Sequence, residues 1–180
     1  MQLLPQEHGF DQPLGLLSDC HRRVERFLKI LEIVGQEAPE NWLPTHYDEG
    51  LHNALNYFRD AAPKHTRDEE DSLFPRITQD QKASEIIERL EDDHALSDPY
   101  HQEIEELGRR WLSQGHLSVN QRRRFTECVA ELTVLYQEHI RIEDEELFPL
   151  AATILDEQSI KEIGEEMAAR RDLKGGGPEI

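Results

Sequence analysis

The chain has 180 residues, enough for one domain with a substantial core. Its formal net charge of −18 repels phosphate backbones and anionic lipids, which sets nucleic acid and membrane surfaces aside as partners. No apolar run approaches the ~20 residues that span a bilayer, and the start, MQLLPQEHGF, lacks the pattern of a signal peptide.

Strong helix formers are plentiful, and β-branched and aromatic residues never alternate in runs, so an all-α fold is expected. In the first helix Leu17, His21, Val24, Leu28 and Leu31 recur at steps of four and three, forming one apolar seam. Pro39 and Pro44 separate it from the second helix, where Thr45 with Asp48 reads as a capping box. The second seam runs Leu51, Leu55, Phe58, Ala62, His65, Glu69. Pro63 should kink this helix, and Pro75 with Thr78 to Gln81 should end it. The third helix carries Ile87, Leu90, His94, Ser97, His101, Ile104 and Trp111, with Pro99 as a kink and Gly115 as its stop. Ser118 and Gln121 cap the fourth, whose stripe is Phe125, Cys128, Leu132, Leu135, His139, Glu143 and Leu147. Arg122, Arg123 and Arg124 read as one solvated turn of that helix. A short fifth helix is expected over about 157–173, followed by a frayed tail at 174–180.

The segment HTRDEEDSLFP at 65–75 returns as HIRIEDEELFP at 139–149, 74 residues later. The sequence DCH at 19–21 returns as DDH at 92–94, offset by 73. One helical hairpin used twice, over about 14–77 and 80–153, accounts for both offsets and predicts a four-helix bundle over 10–173.

Each seam replaces an apolar position with histidine, and the second and fourth add glutamate one turn later. Residues four apart lie one above the other on a helix, so His65 with Glu69 and His139 with Glu143 point the same way, into the bundle. Two inward carboxylates and four inward imidazoles (His21, His65, His94, His139), with no Lys or Arg nearby on those seams, call for cations. Imidazole and carboxylate without thiolate suits iron, manganese or zinc, and bundle cores commonly hold di-iron carboxylate centres. The expected cofactor is two non-haem iron ions bridged by Glu69 and Glu143, with two histidines on each. The pairing of those histidines is not readable from the sequence. With a bridging oxo or hydroxo group each ion would be about five-coordinate, leaving a position open for a small molecule.

These residues resemble the hemerythrin-like family, specifically the HHE cation-binding domains. The resemblance rests on His21, then His65-x-x-x-Glu69 with Leu73-Phe74-Pro75, then His94, then His139-x-x-x-Glu143 with Leu147-Phe148-Pro149. It covers roughly residues 10–173. It implies an up-down-up-down antiparallel bundle with a di-iron centre. It also implies activities such as oxygen binding, oxygen or nitric oxide sensing, and iron donation or repair of iron–sulfur clusters. Oxygen-carrying hemerythrins place a second histidine four residues on in the third helix, where this chain has Asp98. The pattern is closer to the branch with four histidines and two glutamates, which includes iron–sulfur repair proteins. A ferritin-like reading fits poorly, because that motif puts the carboxylate first and the histidine three residues later.

Among nearby residues, His101 reads either as a channel or supporting residue or as a core histidine with an ordinary hydrogen bond. Tyr136 reads as a lining of the open coordination side or as simple packing. Cys128 should be buried, and Cys20 need not face the metals. His8, His46, His52 and His116 read as surface residues, and Asp68, Glu70, Asp71, Asp144, Glu145 and Glu146 as solvated. Two widely separated cysteines with no CxxC pair suit a reducing cytoplasm, without a disulfide framework or zinc ribbon. A homodimer through an outer face is compatible with the pattern, though no feature selects a face.

Overall fold

The computed structural model of the chain describes residues 8–38 and 41–171; the expected break at Pro39 and the tail at 174–180 lie outside them. The first rod is α1 (Pro13–Glu37). The second is built from α2 (Asp48–Asn56), α3 (Ala62–Asp68) and α4 (Phe74–Ile77), joined by π-helical turns at Tyr57–Ala61 and Glu69–Leu73. The third is α5 (Gln81–Gln114). The fourth is α6 (Val119–Ile142) and α7 (Phe148–Ile154), joined by a π turn at Glu143–Leu147. A short α8 (Glu157–Arg170) closes the described chain. The expected all-α fold is therefore observed: an up-down-up-down four-helix bundle with a fifth C-terminal helix. Among the described residues no helix is long and apolar enough to cross a membrane.

The apolar seams turn inward as their periodicity requires. Leu17, Val24, Leu28 and Leu31 of α1, and Leu51 and Leu55 of α2, are buried, as are Ile104 and Trp111 of α5 and Phe125 and Leu132 of α6. They form two separate apolar cores. One gathers Val24 to Leu31 with Leu51 to Ala62, Ile104 to Trp111 and Phe125 to Leu132. The other gathers Leu16 and Leu17 with Leu73 to Leu90, Ile142 to Ala151, and Ile163 and Met167 of α8. On every rod the histidine or glutamate of the seam falls between the stretches that feed these two cores.

The helix ends follow local chemistry. Ser118 and Gln121 form the expected capping box, and Gly115 ends α5 at φ +73, a conformation glycine adopts without steric cost. Asp80 caps α5 by accepting from Ala83 N–H at 3.0 Å. The expected capping box at Thr45 does not form. Thr45–Tyr47 is a 3-10 turn, and α2 starts at Asp48 without a side-chain cap.

The prolines sit at informative places in the rods. The second rod ends at Ile77, directly before the expected break at Thr78 to Gln81, and Pro75 itself lies inside its last helical segment. Pro63, Pro75 and Pro149 each sit at the start of a helical segment that directly follows a π turn. A proline ring normally collides with the carbonyl four residues earlier, and a widened turn in front of it relieves that collision. Pro99 has no such turn, and α5 is helical through it.

The residues before α1 pack closely on α8. A Cβ on Gly164 would lie 1.9 Å from the Phe10 carbonyl oxygen, and the Arg171 guanidinium stacks over the Phe10 ring at 5.7 Å. Backbone cannot yield as a flexible side chain can. Gly164→Ala is expected to cost about 2 kcal/mol or more of stability, as overpacking does. Chemical denaturation checks this, and a change within ~0.5 kcal/mol would contradict the packing described.

Candidate metal centre

Six polar side chains meet in the layer between the two cores. His21 comes from the middle of α1, His65 from α3, His94 from α5 and His139 from the last turn of α6. Glu69 and Glu143 are each the first residue of a π turn. The Glu69 N–H is shared between the carbonyls of His65 and Thr66, and the Glu143 N–H between those of His139 and Ile140. Each glutamate is completely buried, and His21, His65 and His139 are buried with them. His94 is nearly so, its side chain 10% exposed.

All four imidazoles turn Nε2 toward a glutamate. His65 Nε2 lies 3.1 Å from Glu69 Oε1, and His94 Nε2 lies 3.5 Å from Glu69 Oε2. His21 Nε2 and His139 Nε2 lie 3.0 and 3.3 Å from the same oxygen, Glu143 Oε2. Each carboxylate thus reaches one histidine of each hairpin. The histidines themselves pair within hairpins: ring centroids are 5.0 Å apart for His21 and His65, and 4.7 Å for His94 and His139. Two donor groups result, His21, His65, Glu69 and Glu143 in one and Glu69, His94 and His139 in the other. Within each, the donor atoms lie within 4.8 Å of one another, and Glu69 belongs to both.

The far side of the rings is held crosswise. Asp144 Oδ1 accepts from His21 Nδ1 at 3.0 Å, and Glu70 Oε1 accepts from His94 Nδ1 at 2.8 Å. Each of these carboxylates directly follows the buried glutamate of the opposite hairpin. A carboxylate only accepts, so these Nδ1 atoms carry a proton, which leaves the inward Nε2 as the atom that would meet a metal. His65 Nδ1 and His139 Nδ1 have no hydrogen-bond partner among the described residues, with Asp93 standing 3.5 Å from the latter.

A family model, the hemerythrin HHE cation-binding domain, matches residues 12–151. The chain belongs to this family. It is also 29% identical, over 97% of its own length and 99% of the relative's, to an uncharacterized protein of Haemophilus influenzae. A hemerythrin-like HHE domain binds metal cations, typically iron, and the test of fit in this one is the set of stranded atoms. Both oxygens of Glu69, both oxygens of Glu143 and His21 Nε2 are buried with no hydrogen-bond partner among the described residues. Stranding so many acceptors in a dry layer costs free energy unless positive charge fills the space between them. Divalent cations fit that donor set.

Without metal, this HHE domain must share protons among the same groups. Burial, with the charge of Glu143 beside it, holds the Glu69 carboxyl well above the usual range. Glu143 goes the other way: burial alone would raise it, but His139 and His21 outweigh that and hold it well below. Burial would lower His21, yet Asp144 and Glu143 raise it to about 9. His65, enclosed beside other imidazoles, is pushed well below its ordinary value. His21 therefore contributes stability that is complete below about pH 6.5 and lost as pH rises through about 9. Glu69, also raised, acts with the same sign. The chelator-treated protein should accordingly melt at lower temperature at pH 9 than at pH 6.5. A midpoint that rises over that window would count against this charge arrangement.

The four remaining surface histidines, His8, His46, His52 and His116, are exposed as expected. Of the acidic residues expected to be solvated, Asp68 is not, while Glu70 and Asp144 stay partly exposed and take on a second task. Glu70 and Asp144 fasten imidazoles, and Asp68 is fully buried, paired with Arg170 and Arg171. The sequence held one signal of this. The position matching Asp68 in the second hairpin is Ile142, also buried, which marks the site as interior. His101, one of the two readings left open, accepts or donates a 2.9 Å hydrogen bond with the Tyr136 hydroxyl. Cys20 and Cys128 are buried free cysteines.

Proposed function

We propose that the chain holds two iron ions, one at His21 and His65 and one at His94 and His139, with Glu69 and Glu143 spanning both. On this reading the protein binds or senses a small diatomic ligand, oxygen or nitric oxide, at the coordination side that protein groups leave free, and works in the cytoplasm. The observation carrying it is the convergence of buried, partnerless carboxylate oxygens on four inward Nε2 atoms, with Glu69 common to both donor groups. Metal here would supply a polarising, electron-rich centre for such a ligand. The protein's own part is to exclude water and to orient the imidazoles through Asp144 and Glu70. Elemental analysis of protein purified without chelator should give about two irons per chain. The anaerobic ferrous form should change its visible spectrum on adding oxygen or nitric oxide. Absence of stoichiometric metal, or a flat spectrum, would sink the reading. Steady turnover of peroxide or nitric oxide by the loaded protein would move it to the enzyme or repair class instead.

Asp144→Asn tests the supporting layer. Weakening the acceptor at His21 Nδ1 makes its Nε2 a poorer ligand, so metal affinity is expected to fall about 10- to 100-fold. A competition titration against a coloured chelator measures this, and an unchanged constant would deny Asp144 that role.

A further inference from the structure

The two hairpins superimpose their six inward residues by the offsets of 73 and 74, and the same offsets reveal where they differ. In the first hairpin Val24, Leu28 and Ala62 line the bundle next to the polar layer, all buried and apolar. The matching residues of the second hairpin are Ser97, His101 and Tyr136. Three apolar positions have become polar together, and on one side only. The fold does not need this, since the first hairpin makes the same bundle without it.

The three touch one another. Tyr136 OH and His101 Nε2 are 2.9 Å apart. Ser97 Oγ donates to the His94 carbonyl at 2.8 Å and also meets the Tyr136 hydroxyl. The Tyr136 ring stands edge-on to His139 with centroids 6.1 Å apart, and its hydroxyl is close enough to feel the charges of Glu69 and Glu143. Burial holds the His101 imidazole down, to about 4, so it is neutral and Nε2 can accept from the tyrosine. Outside His101 lies a groove of about 180 Å³ with walls of Leu55, Phe58 and Ile104. Arg59 and Glu105 pair across its rim at 3.9 Å. The groove, His101, Tyr136 and His139 thus follow one another from solvent to the metal layer.

We infer that Ser97, His101 and Tyr136 form a hydrogen-bonded gate on one side of the metal pocket, with His101 as the latch of Tyr136, through which a small neutral ligand reaches the metals. Tyr136 has one proton to give, and the neutral His101 Nε2 is a stronger acceptor than the Ser97 hydroxyl beside it. Breaking that bond frees the ring to rotate, at the cost of one neutral hydrogen bond. The walls of the groove are apolar, which admits an uncharged diatomic and disfavours an ion. His101 and Tyr136 are positioning residues in this scheme and touch no metal.

The inference rests on the metal reading above, so its test has one arm that needs no metal. In the metal-free protein the Tyr136 hydroxyl proton should exchange slowly enough to be seen by NMR. It should vanish in His101→Leu and return in His101→Gln, which restores an acceptor. A hydroxyl signal indifferent to these changes overturns the gate. In the ferrous protein, nitric oxide should associate about five-fold faster in His101→Leu and in Tyr136→Phe, the worth of one neutral hydrogen bond. The double variant should be no faster than either single one, because both remove the same bond. Leu28→Ala, at the matching position of the other hairpin, should leave the rate unchanged. Equal rates in all variants, with metal content intact, would overturn the gate while leaving the metal centre standing. Protein that takes up no metal would defeat the metal reading, and the NMR arm alone would then decide on the latch.

Discussion

Glu143→Ala is expected to strip metal from both positions and to lower the melting temperature of the loaded protein by about 15–30 °C. The reasoning starts from one atom. Glu143 Oε2 stands 3.0 Å from His21 Nε2 and 3.3 Å from His139 Nε2, so its loss takes a donor from each hairpin's histidine pair. A ligand present at a thousand times its dissociation constant stabilises the folded state by about 4 kcal/mol, hence about 8 for two ions. In a domain of this size each kcal/mol moves the midpoint by about 2–4 °C. The metal-free protein should respond far less, since only the charge pairing with His21 and His139 is lost. Calorimetry with and without chelator, beside elemental analysis, separates the cases. A variant that keeps its metal, or that loses as much stability without metal as with it, would make Glu143 an ordinary structural residue. Glu69→Gln sharpens the contrast. Its carboxyl already favours the neutral form when metal is absent, so the amide should be nearly neutral there and costly only in the loaded protein.

Much of the architecture could be read because two independent periodicities agree. A seam at 3.6-residue spacing tells which residues turn inward, and the 73/74-residue repeat tells which inward residues share a level. Their intersection picks out His21, His65, Glu69, His94, His139 and Glu143, and the structure brings these six together. What could not be read depends on contacts between rods. The pairing of His21 with His65, and of His94 with His139, follows from how the two rods of each hairpin face each other. The service of Asp144 to His21 crosses 123 residues and that of Glu70 to His94 crosses 24, each from the other hairpin. In an acidic run such as Asp68-Glu69-Glu70-Asp71, every residue type looks solvated; only position decides. The π turns left a trace, because each LFP sets a proline six residues after a buried glutamate. Pro75 does not itself break the rod, since a proline collides with a regular helical turn but not with a widened one.

Asp68 carries the second large effect, and unlike that at Glu143 it should not depend on metal. Asp68 is completely buried, yet Arg170 Nη1 donates to it at 2.9 Å and Arg171 Nη2 at 2.6 Å. Arg170 Nη2 also donates to Ser72 Oγ at 2.6 Å, and Arg76 donates to Glu166 at 2.8 Å. These bonds fasten α8 to the second rod at the level of the first π turn, on the outer side of Glu69. Removing one partner of a buried pair leaves the other charge stranded, at about 3–5 kcal/mol. The two arginine side chains are 14% and 20% exposed, so water relieves part of that and about 3 kcal/mol is expected for Asp68→Ala. Because the loss lies in docking α8 and not in holding metal, it should be the same with and without chelator. Amide exchange in α8 should quicken, and Asp68→Ala combined with Arg171→Ala should cost less than the two separate losses added together. The second hairpin needs no such clamp: its residue at that position is Ile142, which simply joins the apolar core. A cost below ~1 kcal/mol, or a loss that appears only in the metal-loaded protein, would mean that Asp68 acts through its neighbour Glu69 and not through the helix it holds.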